Sequence, residues 1–381
     1  MKKILLISAV VLLILVILVM VAGPFLKALG VDVLCITEEN GRNRLVRCGG
    51  ESVLSADTSP PELAAGAQPV LIDTDMAIDD WMAILYLLQL PDVDVRAITV
   101  TGAGEAHCRP GVQNALDLVA LAGRPEIPVT CGRETPLEGD RVFPQSWRDN
   151  VDSLASVSIP SNSNQPVKQD AVELIASTVR DKPGELLILA LGPLTNLAEA
   201  FLSDSSLAGE IEQLYIMGGA FSVQGNVHVV PELPSDNEAA EWNIYVDPKA
   251  AAIVVASGAP ITFVPLDASN QVLLDEAFYD RLGRYRTTPE AEFVYRVLTK
   301  SIDFVRSGKY FFWDPLTAAI AVDESLGNFE TKPVIVITEE GLESGATRID
   351  DSGRPVRIAT TAAGERFIGH FLDVLNGRVE E

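Results

Sequence analysis

Residues 70–85 read VLIDTDMAIDDWMAIL, an apolar run that holds four carboxylates, Asp73, Asp75, Asp79 and Asp80. Taking a charge out of water is costly unless a partner compensates. Two of these acids have an ordinary explanation, because at a helix start Asp79 and Asp80 are favoured by the helix dipole by about 0.3–1 kcal/mol each. That leaves Asp73 and Asp75, and four carboxylates this close repel one another. A hard divalent cation is a strong remedy. Calcium accepts about six to eight oxygens, several of them from carboxylates, whereas magnesium wants fewer and keeps more of its water. The chemistry to expect is metal-assisted.

Acids of this kind need elements that bring them to an opening. From Gln68 onward, short apolar β-branched runs at residues 70–73, 95–100, 128–131, 186–190, 213–217, 261–264 and 333–338 predict strands. Helix-like stretches at 79–90, 111–122, 169–180, 196–202, 248–256 and 289–305 lie between them. Strands apolar on both faces, alternating with helices, predict an α/β fold with an open, mostly parallel, twisted sheet and helices on both faces. In such folds ligands collect beyond the carboxyl ends of the strands. Residues 70–72 are the strand, 73–78 the loop after it and 79–90 the next helix, so the acids converge at the mouth of the sheet. No internal repeat or low-complexity tract interrupts residues 68–381, which are expected to form one large domain.

The 381-residue chain carries 53 Asp and Glu against 29 Lys and Arg, a net charge of -24. That balance argues against a nucleic-acid partner, which demands a basic face; acids outside clusters read as a solvated exterior. At the N-terminus, Lys2 and Lys3 precede residues 4–22, nineteen apolar or small residues without a charge. The run is long enough for a transmembrane helix, and the lysines place its start in the cytoplasm and the rest of the chain outside. A signal peptide cleaved after residue 22, giving a secreted protein, is the rival. The length of the run and the following Pro24 favour an uncleaved membrane anchor. Residues 23–67 read as a linker, rich in Gly, Ser, Pro and Ala from residue 49. Within it Cys35 and Cys48 bracket ITEENGRNRLVR, whose Asn-Gly predicts a turn and whose flanks predict a disulfide-closed hairpin. Cys108 and Cys131 read as separate small apolar residues. No cysteine spacing suggests zinc.

A strand followed by Asp-x-Asp is shared with haloacid-dehalogenase phosphatases, but that family does not require the second acidic pair on the helix. The run DTDMAIDD more closely resembles the Asp-x-Asp-Pro-Gly-x-Asp-Asp signature of the nucleoside hydrolase family. Further blocks follow in that family's order: AITVTGAGEAH from Ala97, LALGPLTNLA from Leu189, YIMGGAF from Tyr215, GNV from Gly225, AEWNIYVDPKAA from Ala240 and FWDPLTAA from Phe312. The resemblance implies calcium-dependent hydrolysis of ribonucleosides to ribose and free base. It makes Asp75, Asp80, Asp314 and the backbone carbonyl of Thr195 the calcium ligands. Thr195 also stands where a helix N-cap would. Asp75 matches the general base that deprotonates the water attacking C1′, with Asp73 supporting it from behind. Asp79 matches the acid on the ribose diol, Asn226, Glu241 and Asn243 the groups on the other hydroxyls, and Met217 the methionine behind them. Such a lining rejects sugars that lack a matching hydroxyl, so ribonucleosides are expected over 2′-deoxyribonucleosides. The family forms homodimers and homotetramers.

The chain departs from the pattern in four places. Met76-Ala77 replaces Pro-Gly, and neither residue tolerates positive φ as glycine does, so a different turn is expected. Glu105 falls where an asparagine near the ribose is usual. Residues 227–240, VHVVPELPSDNEAA, form a longer segment than is common, fitting a lid or a plain surface loop. Trp313 stands where base-tolerant members carry a histidine, as in the purine-specific branch, where stacking between indoles makes the base easier to protonate. Trp147 is the candidate second plate, with hydrophobic packing the alternative for both tryptophans. The histidines are His107, His228 and His370, of which the first two fall in loops near the site and could supply a relocated acid. Purine ribonucleosides such as inosine, adenosine and guanosine are the expected substrates. A membrane-tethered receptor that only binds nucleosides or ribose is the second reading, although it would have no use for a base at Asp75.

Overall fold

A computed structural model describes the backbone of residues 34–39 and 42–47 and the whole of residues 60–229 and 235–378. The chain divides into two units after Ser55. In the first, β1 (Leu34–Glu39) and β2 (Arg42–Arg47) pair antiparallel, the hairpin that the Asn-Gly turn predicts. The proposed Cys35–Cys48 link and the apolar run at 4–22 lie outside the described residues. Among the described residues no helix is long and apolar enough to cross a membrane.

The second unit is built on nine strands: β3 (Gln68–Thr74), β4 (Val93–Val100), β5 (Val129–Cys131), β6 (Leu187–Ala190), β7 (Gln213–Met217), β8 (Ile261–Val264), β9 (Gly327–Val336), β10 (Thr347–Ile349) and β11 (Arg354–Ala362). They lie in the order β10-β9-β11-β8-β7-β6-β3-β4-β5. All neighbours from β5 to β11 pair parallel, and only the two pairings of β9 are antiparallel. Strands β6 and β8 are buried along their whole length, as covered parallel strands should be. The expected strand at 333–338 is the second half of β9. Strand β10 is too short to show a pattern, and β11 escapes it because exposed or half-buried Arg354, Arg357, Thr360 and Thr361 interrupt its apolar residues.

The helices are α1 (Ile78–Leu88), α2 (Cys108–Leu121), α3 (Gln145–Asp152), α4 (Ala171–Asp181), α5 (Thr195–Ser203), α6 (Trp242–Val246), α7 (Pro248–Ala256), α8 (Leu266–Ser269), α9 (Glu276–Arg284), α10 (Pro289–Lys300), α11 (Ile302–Arg306), α12 (Trp313–Val322) and α13 (Gly364–Leu375). Apolar side chains of α4, α5 and α7, among them Leu174, Leu197 and Val254, bury one face of the sheet against Leu71, Ile188 and Leu214. Helix α12 packs on α1, and its flanking Phe312 meets Phe367 and Phe371 of α13 edge-on. The single helix expected over 289–305 is two, α10 and α11, broken at Ser301, whose ψ of 22° leaves the helical range.

Two further expectations are corrected. The end of the linker is part of the domain: Ala64 N donates to Pro91 O at 2.9 Å, and Arg124 Nη2 to Pro61 O at 2.9 Å. Cys108 and Cys131 are not separate apolar residues but a disulfide, with Cα atoms 5.7 Å apart. The parallel crossover brings the start of α2 back beside the end of β5, a proximity that their spacing of 23 residues does not disclose.

Strand order also locates the site. The chain steps outward from β3 through β4 to β5, returns to β6 on the other side of β3, and continues through β7 to β8. The β3–β6 boundary is therefore a topological switch point, where a crevice opens beyond the strand ends.

Candidate active site

The floor of the crevice is the end of β3. Asp73 Oδ1 accepts from Thr99 Oγ1 at 2.6 Å and from Asn196 Nδ2 at 2.8 Å, tying β3 to β4 and α5. Burial pushes the Asp73 carboxyl up to about 7, against the pull of those two donors. Asp75 accepts from Glu105 N at 3.1 Å, and its own carbonyl accepts from Ala106 N at 2.9 Å. Burial lifts it to about 6, moderated by backbone donors and the Arg148 guanidinium. Two glycines press on it: a Cβ at Gly104 would lie 2.1 Å from Asp75 Cβ, and one at Gly192 2.7 Å. Only bare backbone fits there.

The turn after Asp75 does differ from Pro-Gly. Met76 takes φ 61°, which proline cannot adopt, while Ala77 sits at φ -65° in extended backbone. Met76 is held there from both ends. Its N–H donates to Thr74 Oγ1 at 2.9 Å, its carbonyl accepts from Trp81 Nε1 at 2.8 Å, and its side chain is fully buried. The same turn binds Asp80, which accepts from the Thr74 hydroxyl and from Ala77 N at 3.0 Å.

Oxygens of Asp79, Asp80 and Asp314 lie within 4.8 Å of one another. Burial, then mutual repulsion, drives Asp80 and Asp314 well above the carboxylate range, and burial raises Asp79 to about 7. Asp314 Oδ1 is buried with no hydrogen-bond partner. An all-oxygen set of crowded, buried carboxylates with one oxygen unsatisfied fits a hard divalent cation. The tightest group thus contains Asp79, which the sequence assigned to the sugar, while Asp75 lies beside it. Thr195 is fully buried, but it is not the N-cap of α5. Leu194 holds that position, and the Thr195 hydroxyl donates to Asp247 Oδ2 at 2.8 Å.

Above this floor opens a cavity of about 920 Å³. It collects Asp79, Glu105, Trp147, Met217, Asn226, Glu241, Asn243, Trp313 and Asp314, all expected from sequence. Glu241 caps α6, accepting from Asn243 N at 2.9 Å, Gly219 N at 3.1 Å and Ile244 N at 3.2 Å; burial raises it to about 7. Asn243 Nδ2 donates to the carbonyls of Leu191 and Met217, each at 3.2 Å. Asn226 Oδ1 accepts from Trp242 N at 3.0 Å. Backbone contacts therefore set these polar groups in place before any ligand arrives. Trp313 opens α12 with Nε1 donating to Asn270 Oδ1 at 3.0 Å, its ring tilted on Tyr310 and Phe311. Trp147 lines the cavity and also packs on Trp242, ring centres 5.6 Å apart, so lining and packing coexist.

Glu105 faces the cavity beside Asp75 and Asp79, and burial followed by their charges holds its carboxyl well above the ordinary value. The opposing cation is Arg148, buried on α3, whose Nη2 reaches Gly102 O at 3.4 Å. Sequence reading missed Arg148, Trp242, Tyr310 and Asn270; the only available signal was that Arg148 and Trp242 each adjoin a named site residue. His228 lines the cavity, whereas His107 sits at the start of α2 with Nδ1 2.7 Å from Asp152, and His370 packs on Tyr86. In the 227–240 segment, residues 230–234 lie outside the described residues. The later part is tied down by Asn237, whose Nδ2 donates to Ser344 O at 2.8 Å and whose Oδ1 accepts from Ala239 and Ala240.

A doubly wound α/β sheet with a carboxylate floor and an aromatic-walled cavity at its switch point places the protein among open-sheet α/β proteins built to receive a small molecule beyond the strand ends. Residues 70–369 match the family described as inosine-uridine preferring nucleoside hydrolase, and the chain belongs to it. It is 33% identical over 311 residues to uridine nucleosidase 1 of Arabidopsis thaliana, covering 80% of this chain and 88% of that one. A solved plant nucleoside hydrolase superposes with a TM-score of 0.74 at 33% identity, over 81% of this chain and 99% of that one. A purine-preferring ribonucleoside hydrolase from Gardnerella vaginalis gives 0.70 at 27% identity, over 82% and 99%. The chain is accordingly a nucleoside hydrolase, an enzyme acting on N-glycosyl bonds, and the phosphatase and receptor readings fall away.

Proposed function

We propose that this enzyme hydrolyses ribonucleosides with calcium bound at the acidic floor, and that purine ribonucleosides are its preferred substrates. The observation that carries this reading is the buried, unpartnered Asp314 Oδ1 beside Asp79 and Asp80, directly under the aromatic-walled cavity. Asp75, Asp80, Asp314 and the Thr195 carbonyl are the residues assigned to hold the ion, with Asp79 next to it on the ribose diol. When bound, the ion neutralises the carboxylates and acts as a Lewis acid on oxygen.

Asp75 is assigned as general base, taking the proton of the water that attacks C1′. Its carboxylate is held at the end of β3 by the Glu105 amide, at the foot of the cavity. Asp73, itself fixed by Thr99 and Asn196, backs the strand that carries it. As the glycosidic bond breaks, positive charge builds on the sugar ring, and the surrounding carboxylates stabilise it. Asn226, Glu241 and Asn243 pair with sugar hydroxyls over Met217. Trp313 and Trp147 take the base, stacking on it and easing its protonation, so that no side-chain acid is demanded.

Uridine is the natural competitor, given a relative named for it. The test is reducing-sugar release from inosine and uridine, with and without a chelator. Faster release from inosine, abolished by chelation and restored by calcium, is the expected result. Uridine outrunning inosine overturns the base assignment, and undiminished cleavage without divalent ions overturns the metal assignment.

A further inference from the structure

We propose that the Cys108–Cys131 disulfide positions the catalytic acids from behind and makes the reaction sensitive to dithiols. The inference rests on Asp75 being the general base. Neither cysteine lines the cavity, yet each end of the bond leads to an acid at the end of β3. On one side, Cys108 begins α2 and closes the loop 101–107 that follows β4. That loop is laid on Asp75: Gly104 leaves room only for Asp75 Cβ, Glu105 N donates to its carboxylate, and Ala106 N to its carbonyl. The loop also rests on the bond itself, since a Cβ at Gly102 would come within 2.6 Å of Cys108 Sγ. On the other side, Cys131 ends β5, and Gly132 N donates to Val100 O at 2.9 Å. Gly132 abuts Asn196, where a Cβ would lie 1.9 Å from Oδ1, and Asn196 Nδ2 holds Asp73. One covalent bond therefore ties the loop that holds Asp75 to the segment against which Asn196, the donor to Asp73, is packed. Both cysteines are half-buried.

A dithiol cleaves the Sγ–Sγ bond by exchange: each cysteine sulfur gains one proton and one electron, and the reductant leaves as its own disulfide. The loop 101–107 then loses its covalent anchor at residue 108 and keeps only the noncovalent His107–Asp152 contact at that end. Displacing a reacting group by about 1 Å costs roughly 100-fold in rate. The full-length double variant Cys108→Ser, Cys131→Ser is therefore expected to lose about 10- to 100-fold in kcat on inosine, with KM changed by less than about threefold. Dithiothreitol should bring the wild type to the same level and leave the double variant unchanged. Protection of the Glu105 and Ala106 amides from hydrogen exchange should fall in parallel, while exchange in β7 and α7 stays constant. Unaltered kcat in a folded double variant overturns the proposal, as does equal sensitivity of both proteins to dithiothreitol. Should the variant not fold, exchange and thiol titration on natively reduced wild type decide instead: freed thiols with full protection at Glu105 and Ala106 refute it. A wild type that cleaves no nucleoside defeats the reading of Asp75 alone, because the exchange measurement still reports whether the bond orders the loop.

Discussion

Gly104 and Gly192 hold Asp75 between two stretches of bare backbone, and an added methyl at Gly104 would have to occupy the space of Asp75 Cβ itself. Gly104→Ala must push either the loop or the acid aside. A folded protein with kcat on inosine lowered by about 100-fold is expected, because a shift near 1 Å misaligns the attacking water. Circular dichroism separates this from unfolding, and unchanged kcat would show that Asp75 is not the acid that matters. Trp313 is tested differently. Trp313→Ala removes a wall of the cavity and the bond to Asn270, and turnover is expected to fall much more than KM rises. A rise in KM alone would mean that the indole only binds. The acids of the floor and the polar residues that line the cavity were legible in the sequence because each lies in a short local block, strand then loop or loop then helix. Arg148, Tyr310 and the 108–131 bond were not, since only the folded crossover makes them neighbours of the site.

At the scale of elements, the strands nearest the site were the easiest to read. Burial on both faces forces β3, β6, β7 and β8 to be nearly continuous apolar runs. The edge strand β10 and the internal strand β11, paired with β9 on one side and β8 on the other, are covered less completely, and Arg354, Arg357 and Thr360 disguise β11 as a loop. The turn between β3 and α1 was legible as a departure but not in its outcome, because the positive φ falls on Met76 and not on Ala77. Two effects compete there. A left-handed non-glycine residue costs roughly 1–2 kcal/mol, and glycine would relieve that. The Met76 side chain is fully buried, however, and deleting a buried Met side chain costs roughly 2–5 kcal/mol. Packing should win, so Met76→Gly is expected to lose about 1–3 kcal/mol in urea denaturation. A gain in stability would show that the strained backbone, and not the core, sets the energy of this loop.

Over the whole molecule, an excess of 24 negative charges makes pH a stability variable. In buffer with excess calcium, the ion proposed for the floor would neutralise its acids, leaving the other buried carboxyls to control what remains. Glu290 is fully buried at the start of α10; Oε1 accepts from Gln89 Nε2 at 2.7 Å, and Oε2 has no partner. Burial raises its pKa, as it raises that of Glu241 from 4.5 to about 7. In both cases the folded protein binds the proton more tightly than the unfolded chain. Their stabilising contribution is therefore complete below the ordinary carboxyl value and is lost as pH climbs through the raised one. From about pH 4.5 upward the wild type should therefore weaken as these carboxyls approach ionisation. Glu290→Gln keeps the acceptor for Gln89 but never ionises, so it should gain stability over the wild type above neutrality and lose that advantage in acid. General charge repulsion steepens both curves alike and cancels in their difference. Urea midpoints measured from about pH 4 to 8 give that difference directly, and a variant that tracks the wild type throughout would mean that Glu290 finds a partner for its charge when it ionises.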